Sequence, residues 1–185
     1  EGRPLLPSYS INLHITNHQS RTMAEMHFSK YFTDKTSPII SFELFPPKTE
    51  RGLKTLKERV LPNLVKLNPS YITVTYGAGG STQGSTLEIA AAVKNDHNLE
   101  AACHLTCVGA SRSEIDVVVE KISAAGIENI VALRGDAPKG QEQFVAHTEG
   151  FAHANELVAH IRASEDSSNP FGLAVAGYPE KHLEA

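Results

Sequence analysis

From residue 38 onward, short apolar stretches alternate with longer segments of helical spacing. The apolar stretches cover 39–44, 71–75, 101–106, 129–134 and 173–178; the helix-like segments lie near 50–67, 83–95, 112–125 and 148–163. Most strand starts are about 30 residues apart, the length of one strand–helix–strand unit. Strands alternating with helices predict an α/β fold with a parallel sheet. Residues 1–37 carry no such rhythm. Pro4, Pro7 and many polar side chains predict a poorly ordered N-terminal extension there, with one domain over 38–185.

Two helices carry distinct local signals. Ser111 and Glu114 have the spacing of a capping box. Ile115, Val118, Val119 and Ile122 follow at i, i+3, i+4, i+7, and Gly126 suits a left-handed C-terminal position. In the first long helix Leu53, Leu56, Val60, Leu64 and Leu67 form an apolar stripe. Pro62 lies inside it and predicts a kink or an early break.

Parity along the strands separates barrel from open sheet. Ile40, Phe42 and Leu44 oppose Ser41 and Glu43; Ile72 and Val74 oppose Thr73 and Thr75; Ala101, Cys103 and Leu105 oppose Ala102, His104 and Thr106. Val131 and Leu133 oppose Ala132 and Arg134, and Leu173 and Val175 oppose Ala174, Ala176 and Tyr178. Large apolar side chains thus take one face, and small or polar ones the other. A doubly wound sheet wants both faces apolar. A barrel can turn small and polar groups inward and cover its outside with helices. The polar groups also come late in each strand, where a (β/α)8 barrel keeps its active site. Glu43, Thr75, His104, Arg134 and Tyr178 are therefore expected at one mouth.

Charge and composition narrow the chemistry. Seventeen basic against 21 acidic residues give a net charge of −4, with no basic excess to suit nucleic acid or an anionic membrane. No apolar run reaches the roughly 18–20 residues of a membrane span. Cys103 and Cys107 are the only cysteines. Two cannot make a disulfide framework, which points to a reducing, cytoplasmic setting.

Five motifs end the five strands, each with a plain structural alternative. SFELFPPK (41–48) sets Glu43 among apolar neighbours, where a carboxylate gains proton affinity and suits general acid work; the alternative is a strand-end ion pair. VTYGAGGST (74–82) is a strand, a glycine-rich turn and a helix start, able to hold a phosphate or ring through backbone N–H groups, or to be a mere connection. Thr82 stands where a dinucleotide fingerprint needs glycine. In HLTC (104–107), Cys103 and His104 point to opposite faces, which argues against a metal grip and leaves His104 as a cofactor contact or a core residue. LRGDAP (133–138) offers Arg134 and Asp136 as ligands or as a structural pair. GYPEKH (177–182) offers Tyr178 and His182, with Tyr178 as barrel filling the alternative.

In this order and spacing, FELFPPK, VTYGAGGST, HLTC, ALRGD and GYPEKHLEA resemble the motif series of the methylenetetrahydrofolate reductases over residues 38–185. The resemblance implies a (β/α)8 TIM barrel that binds flavin adenine dinucleotide (FAD), with this chain truncated after about the fifth strand. It implies that NAD(P)H passes hydride to the flavin and leaves, and that methylenetetrahydrofolate then takes its place and becomes methyltetrahydrofolate, feeding methionine biosynthesis. By motif, Glu43 matches the family's general acid, and Asp136 the aspartate near flavin and folate. Thr75, Tyr76, Ala78, His104, Arg134, Gly135, Asp136, Ala154, Tyr178, His182 and Ala185 match FAD-binding positions. Glu43, Thr75 and Asp136 are also the substrate-side residues, Thr75 towards the nicotinamide. Gln83 and Gly84 depart from the charged residues many relatives carry after GAGGST. The family further implies a homo-oligomer when full length. Another barrel flavoenzyme, of proline dehydrogenase type, and a non-catalytic domain are the competing readings.

Overall fold

A computed structural model describes residues 27–33, 38–76, 83–137, 140, 143–178 and 180. Five parallel strands lie in sequence order: β1 (Ser41–Leu44), β2 (Tyr71–Val74), β3 (Glu100–Thr106), β4 (Asn129–Leu133) and β5 (Gly172–Val175). Between them run α2 (Glu50–Thr55) and α3 (Leu61–Val65), α4 (Gln83–Ala91), α5 (Arg112–Ala124) and α6 (Ala154–Ser164). Every strand and helix expected from the pattern is present. A five-stranded parallel sheet in 1-2-3-4-5 order is consistent with part of a (β/α)8 barrel.

The core lies between the sheet and its helices. Leu44, Val74, Cys103 and Ile130 stand side by side in register and are all buried. Ile89, Ile115, Leu157 and Ile161 close over them from the helices. The other face of the sheet carries Glu43, Thr73, Ala102 and Asn129 in one row, and His104 and Val131 in the next.

That register corrects the expected parity of β4. Val131 pairs with His104 and Leu133 with Thr106, so both point to the polar face, while Ile130 and Ala132 enter the core. Parity shows which residues share a face but not which face it is. The inside of a barrel is itself packed with branched apolar side chains.

The first long helix shows how Pro62 is accommodated. It does not break at Pro62; residues Leu56–Val60 form a wider, π-helical turn that runs straight into α3. Proline has no N–H for the carbonyl four residues back and its ring crowds that carbonyl. A widened turn accommodates both. The extra residue shifts the apolar stripe: Leu61, not Val60, follows Leu56 into the core. Leu61 is fully buried, whereas Val60 and Leu67 are exposed.

α5 forms as expected. The Ser111 hydroxyl accepts the Glu114 N–H, and the Glu114 carboxylate accepts the Ser111 N–H at 2.8 Å. Gly126 ends the helix at φ 74°. α6 starts later than its pattern suggested. Glu156 accepts the Ala152 and His153 N–H groups and fixes its first turn.

Residues 28–33, expected in a poorly ordered extension, instead include a short helix, α1 (Phe28–Tyr31). Phe28 is buried and meets the Tyr71 ring edge-on at 5.1 Å. Its N–H donates to Asn129 Oδ1 at 2.8 Å, and the Tyr31 hydroxyl donates to the Ser70 carbonyl. Two aromatic anchors three residues apart were too short a signal to register as periodicity. Asn129 Nδ2 in turn donates to Glu100, which pairs with the buried Lys94 at 2.8 Å. Burial alone would lower the Lys94 pKa, but Glu100 and Glu128 more than offset it and hold it above 10.5. α1 thus plugs the strand-start end of the polar face, opposite the rim where the candidate chemistry gathers.

Candidate active site

Two neighbouring clusters occupy the strand-end rim. In the first, Glu43 is the last residue but one of β1 and His104 stands late in β3, on the same face but two strands apart. They meet across β2, with His104 Nε2 3.5 Å from Glu43 Oε2. The His104 side chain is 10% exposed and that of Glu43 is 50% exposed. Glu43 is thus open at the rim and not enclosed by apolar neighbours as its local sequence suggested. Burial lowers the His104 pKa below 6.5, against the opposing pull of the Glu43 carboxylate. Burial thus favours the neutral ring.

Thr75 lies just beyond β2 and ties the end of that strand to β1 and α4. Its N–H donates to the Leu44 carbonyl, and its own carbonyl accepts the Thr86 hydroxyl at 2.9 Å. Thr86, at the start of α4, escaped the sequence reading because a threonine in a helix has no distinctive pattern. Tyr76 is half-buried and packs against the core. Thr106 ends β3 on the same face as His104; its hydroxyl is buried and has no hydrogen-bond partner.

The second cluster is a cleft of about 450 Å³ between the ends of β4 and β5 and the start of α6. Arg134, Gly135, Asp136, Ala154 and Tyr178 all line it. Five matched positions from three separate stretches of the chain are thereby brought together. His153 lines it as well, and nothing in the sequence distinguished it. The Arg134 guanidinium lies over the Phe144 ring, 5.0 Å from its centroid. Asp136 is exposed at the cleft mouth.

The turn through 134–136 is held from below. The Cys107 N–H reaches both the Leu133 and Arg134 carbonyls, at 3.2 and 3.1 Å. Gly135 has φ 86°, where an L side chain is strained. A Cβ on it would also lie 3.1 Å from Thr106 Cβ and Val108 Cγ1. Glycine is needed there for the turn itself, whatever the turn binds. The Cys107 thiol points at the Leu133 and His153 carbonyls, and burial pushes its pKa up to about 11. Burial also pushes Cys103 up to about 12. Neither thiol is poised as a nucleophile or thiolate ligand. Ala78, His182 and Ala185 lie outside the described residues, as does the glycine-rich turn 77–82.

Comparison with known proteins identifies this arrangement. The family model described as methylenetetrahydrofolate reductase matches residues 28–185. That match starts at α1, ten residues before the expected domain boundary. The chain is 46% identical over 153 residues to methylenetetrahydrofolate reductase (NADH) 1 of Arabidopsis thaliana, covering 83% of this chain and 25% of the relative. It is 49% identical over 145 residues to methylenetetrahydrofolate reductase (NADH) 1 of Zea mays, covering 78% and 24%. With 5,10-methylenetetrahydrofolate reductase of Escherichia coli it shares 37% identity over 146 residues, 79% of this chain and 46% of the relative. The chain spans about a quarter of the length of the plant relatives it matches. With the model matched from α1 to the last residue, the chain belongs to the methylenetetrahydrofolate reductase family.

Proposed function

We propose that this chain supplies the acid and part of the flavin site of an NAD(P)H-dependent, FAD-containing reductase of 5,10-methylenetetrahydrofolate, in a reducing, cytoplasmic compartment. The observation that carries the reading is the Glu43–His104 pair, 3.5 Å apart at the strand-end rim of a chain of this family. The plant relatives are NADH enzymes by name, which favours NADH as the donor. The methyl product would feed methionine biosynthesis, and a homo-oligomer is the expected assembly of the whole protein.

The residues fit a flavin dinucleotide. Beside the first turn of α6 the cleft offers a nucleotide's phosphates the Arg134 cation and the Tyr178 hydroxyl, with the Asp136 carboxylate out at its mouth. The neighbouring face holds a buried polar atom, Thr106 Oγ1, still without a partner. Thr75 and Tyr76 would add to this site, and Ala78, His182 and Ala185 match further flavin-binding positions by motif. When bound, FAD supplies hydride transfer between the nicotinamide and the folate.

The protein's own part is proton delivery and positioning. Glu43 donates a proton to the folate nitrogen as its bond to the methylene carbon breaks. That carbon then accepts the hydride and becomes the methyl group. His104, 3.5 Å away, holds the Glu43 carboxyl in place at the rim. Asp136, at the cleft mouth, orients the pterin. The test is to purify the full-length protein and record its absorption spectrum. It is then reduced anaerobically with NADH and oxidised with methylenetetrahydrofolate. A flavin spectrum that bleaches and then returns supports the reading. A colourless protein that takes up no FAD overturns it.

A further inference from the structure

Among the described residues, Thr106 Oγ1 is the buried side-chain polar atom without a hydrogen-bond partner. Thr106 is 7% exposed and is the last residue of β3. It shares its face with His104, two residues earlier, and pairs in register with Leu133. The Gly135 turn lies directly against it. A buried hydroxyl left unsatisfied destabilises the fold. A valine of the same shape would avoid that cost. The hydroxyl is therefore an expense to the unliganded fold, placed between the Glu43–His104 pair and the 134–136 turn.

We propose that Thr106 is a cofactor-positioning residue whose hydroxyl bonds a ring carbonyl or ring nitrogen of the bound flavin. The ring is the relevant part because Thr106 shares the face of Glu43, where the reacting atoms must lie, and does not line the cleft beside α6. Rotation about the Thr106 Cα–Cβ bond exchanges oxygen and methyl and turns the oxygen towards an arriving ring. The inference rests on the flavin reading above.

The experiment compares wild type, Thr106→Val and Thr106→Ser in the full-length protein freed of flavin. Each is titrated with FAD, and each is heated with and without it. Thr106→Val should bind FAD about 3–10-fold more weakly, the worth of one hydrogen bond. It should also shift the visible flavin bands, while its flavin-free form melts no lower than wild type. Thr106→Ser should restore the affinity. If Thr106→Val binds FAD as tightly as wild type with unchanged bands, the inference is overturned. It is equally overturned if the flavin-free Thr106→Val protein melts lower and Thr106→Ser does not restore binding, which marks a packing role. If wild type itself takes up no FAD, the flavin reading has failed, and this inference with it.

Discussion

Glu43 and His104 come from strands that are not neighbours, yet they meet, and each makes a distinct prediction. Glu43→Gln keeps the shape and removes the transferable proton. In the full-length protein, flavin reduction by NADH should survive, while folate reduction should slow by about 10²–10⁴-fold, the usual contribution of a general acid. Stopped-flow traces of the two half-reactions decide it; equal losses in both would remove Glu43 from the acid's role. For His104 the observable is stability. Its pKa is lowered in the folded protein, by burial first and against the pull of Glu43. The unfolded chain therefore binds the extra proton more readily. The contribution is fully present above pH 6.5 and is lost as pH falls below it towards the folded value. Denaturant midpoints measured from about pH 8 down to about pH 5 should fall, and His104→Gln should flatten that slope. An unchanged slope would mean another group carries it.

The widened turn after α2 decides which side chains hold the first helix to the sheet. Leu61→Ala should cost about 2–5 kcal/mol, as for a fully buried leucine, and Val60→Ala, at an exposed position, under about 0.5 kcal/mol. Equal losses would restore the stripe as first read from the sequence. The same comparison shows what was legible. Capping chemistry at Ser111 and Glu114 depends on residues three apart and survives any tertiary setting. The phase of an apolar stripe does not, because one widened turn rotates everything after it. Likewise the alternation along β4 was readable, but only its pairing with β3 showed that Val131 faces His104. Glu43, His104, Arg134, Gly135, Asp136 and Tyr178 gathered at the rim because each lies near or just beyond a strand end, whereas Ala154 begins a helix and Ala78, His182 and Ala185 lie outside the described residues. His153, Phe144 and Thr86 stayed hidden, since they act through neighbours distant in sequence. α1 was missed for the same reason. Its worth is testable at Asn129, which is fully buried and accepts the Phe28 N–H. Asn129→Leu removes that acceptor and the donor to Glu100, and should destabilise by about 1–3 kcal/mol for each group left unpaired. A loss no larger in the full chain than in one starting after residue 33 would show that α1 contributes nothing.

For the molecule as a whole, the sheet of the described residues begins at β1 and ends at β5, and neither edge is paired to the other. Strand edges present N–H and C=O groups to any other strand. Val175 at one edge and Phe45 just beyond the other are also exposed, at 60% and 70%. Residues 1–185 expressed alone should therefore self-associate and take up little FAD. Size exclusion followed by FAD titration measures both. A monodisperse monomer that binds FAD at micromolar affinity would show that these five strands suffice.

The sequential strand order has a consequence for how the chain is made. Ser41 pairs with Tyr71, Tyr71 with Glu100, and Ala102 with Asn129, so each strand docks on the one synthesised just before it. Translation proceeds at about 5–20 residues per second. Each new strand thus leaves the ribosome to find its template already in place. The exception is the last step. β5 must wait for the long excursion through the 134–136 turn and α6 before Gly172 reaches Asn129. Gly172 can settle there because its missing side chain leaves room for the Asn129 amide and for the Phe28 backbone. α1 and β5 thus converge on one asparagine from opposite ends of the described residues, and α1 has to hold its place until β5 arrives.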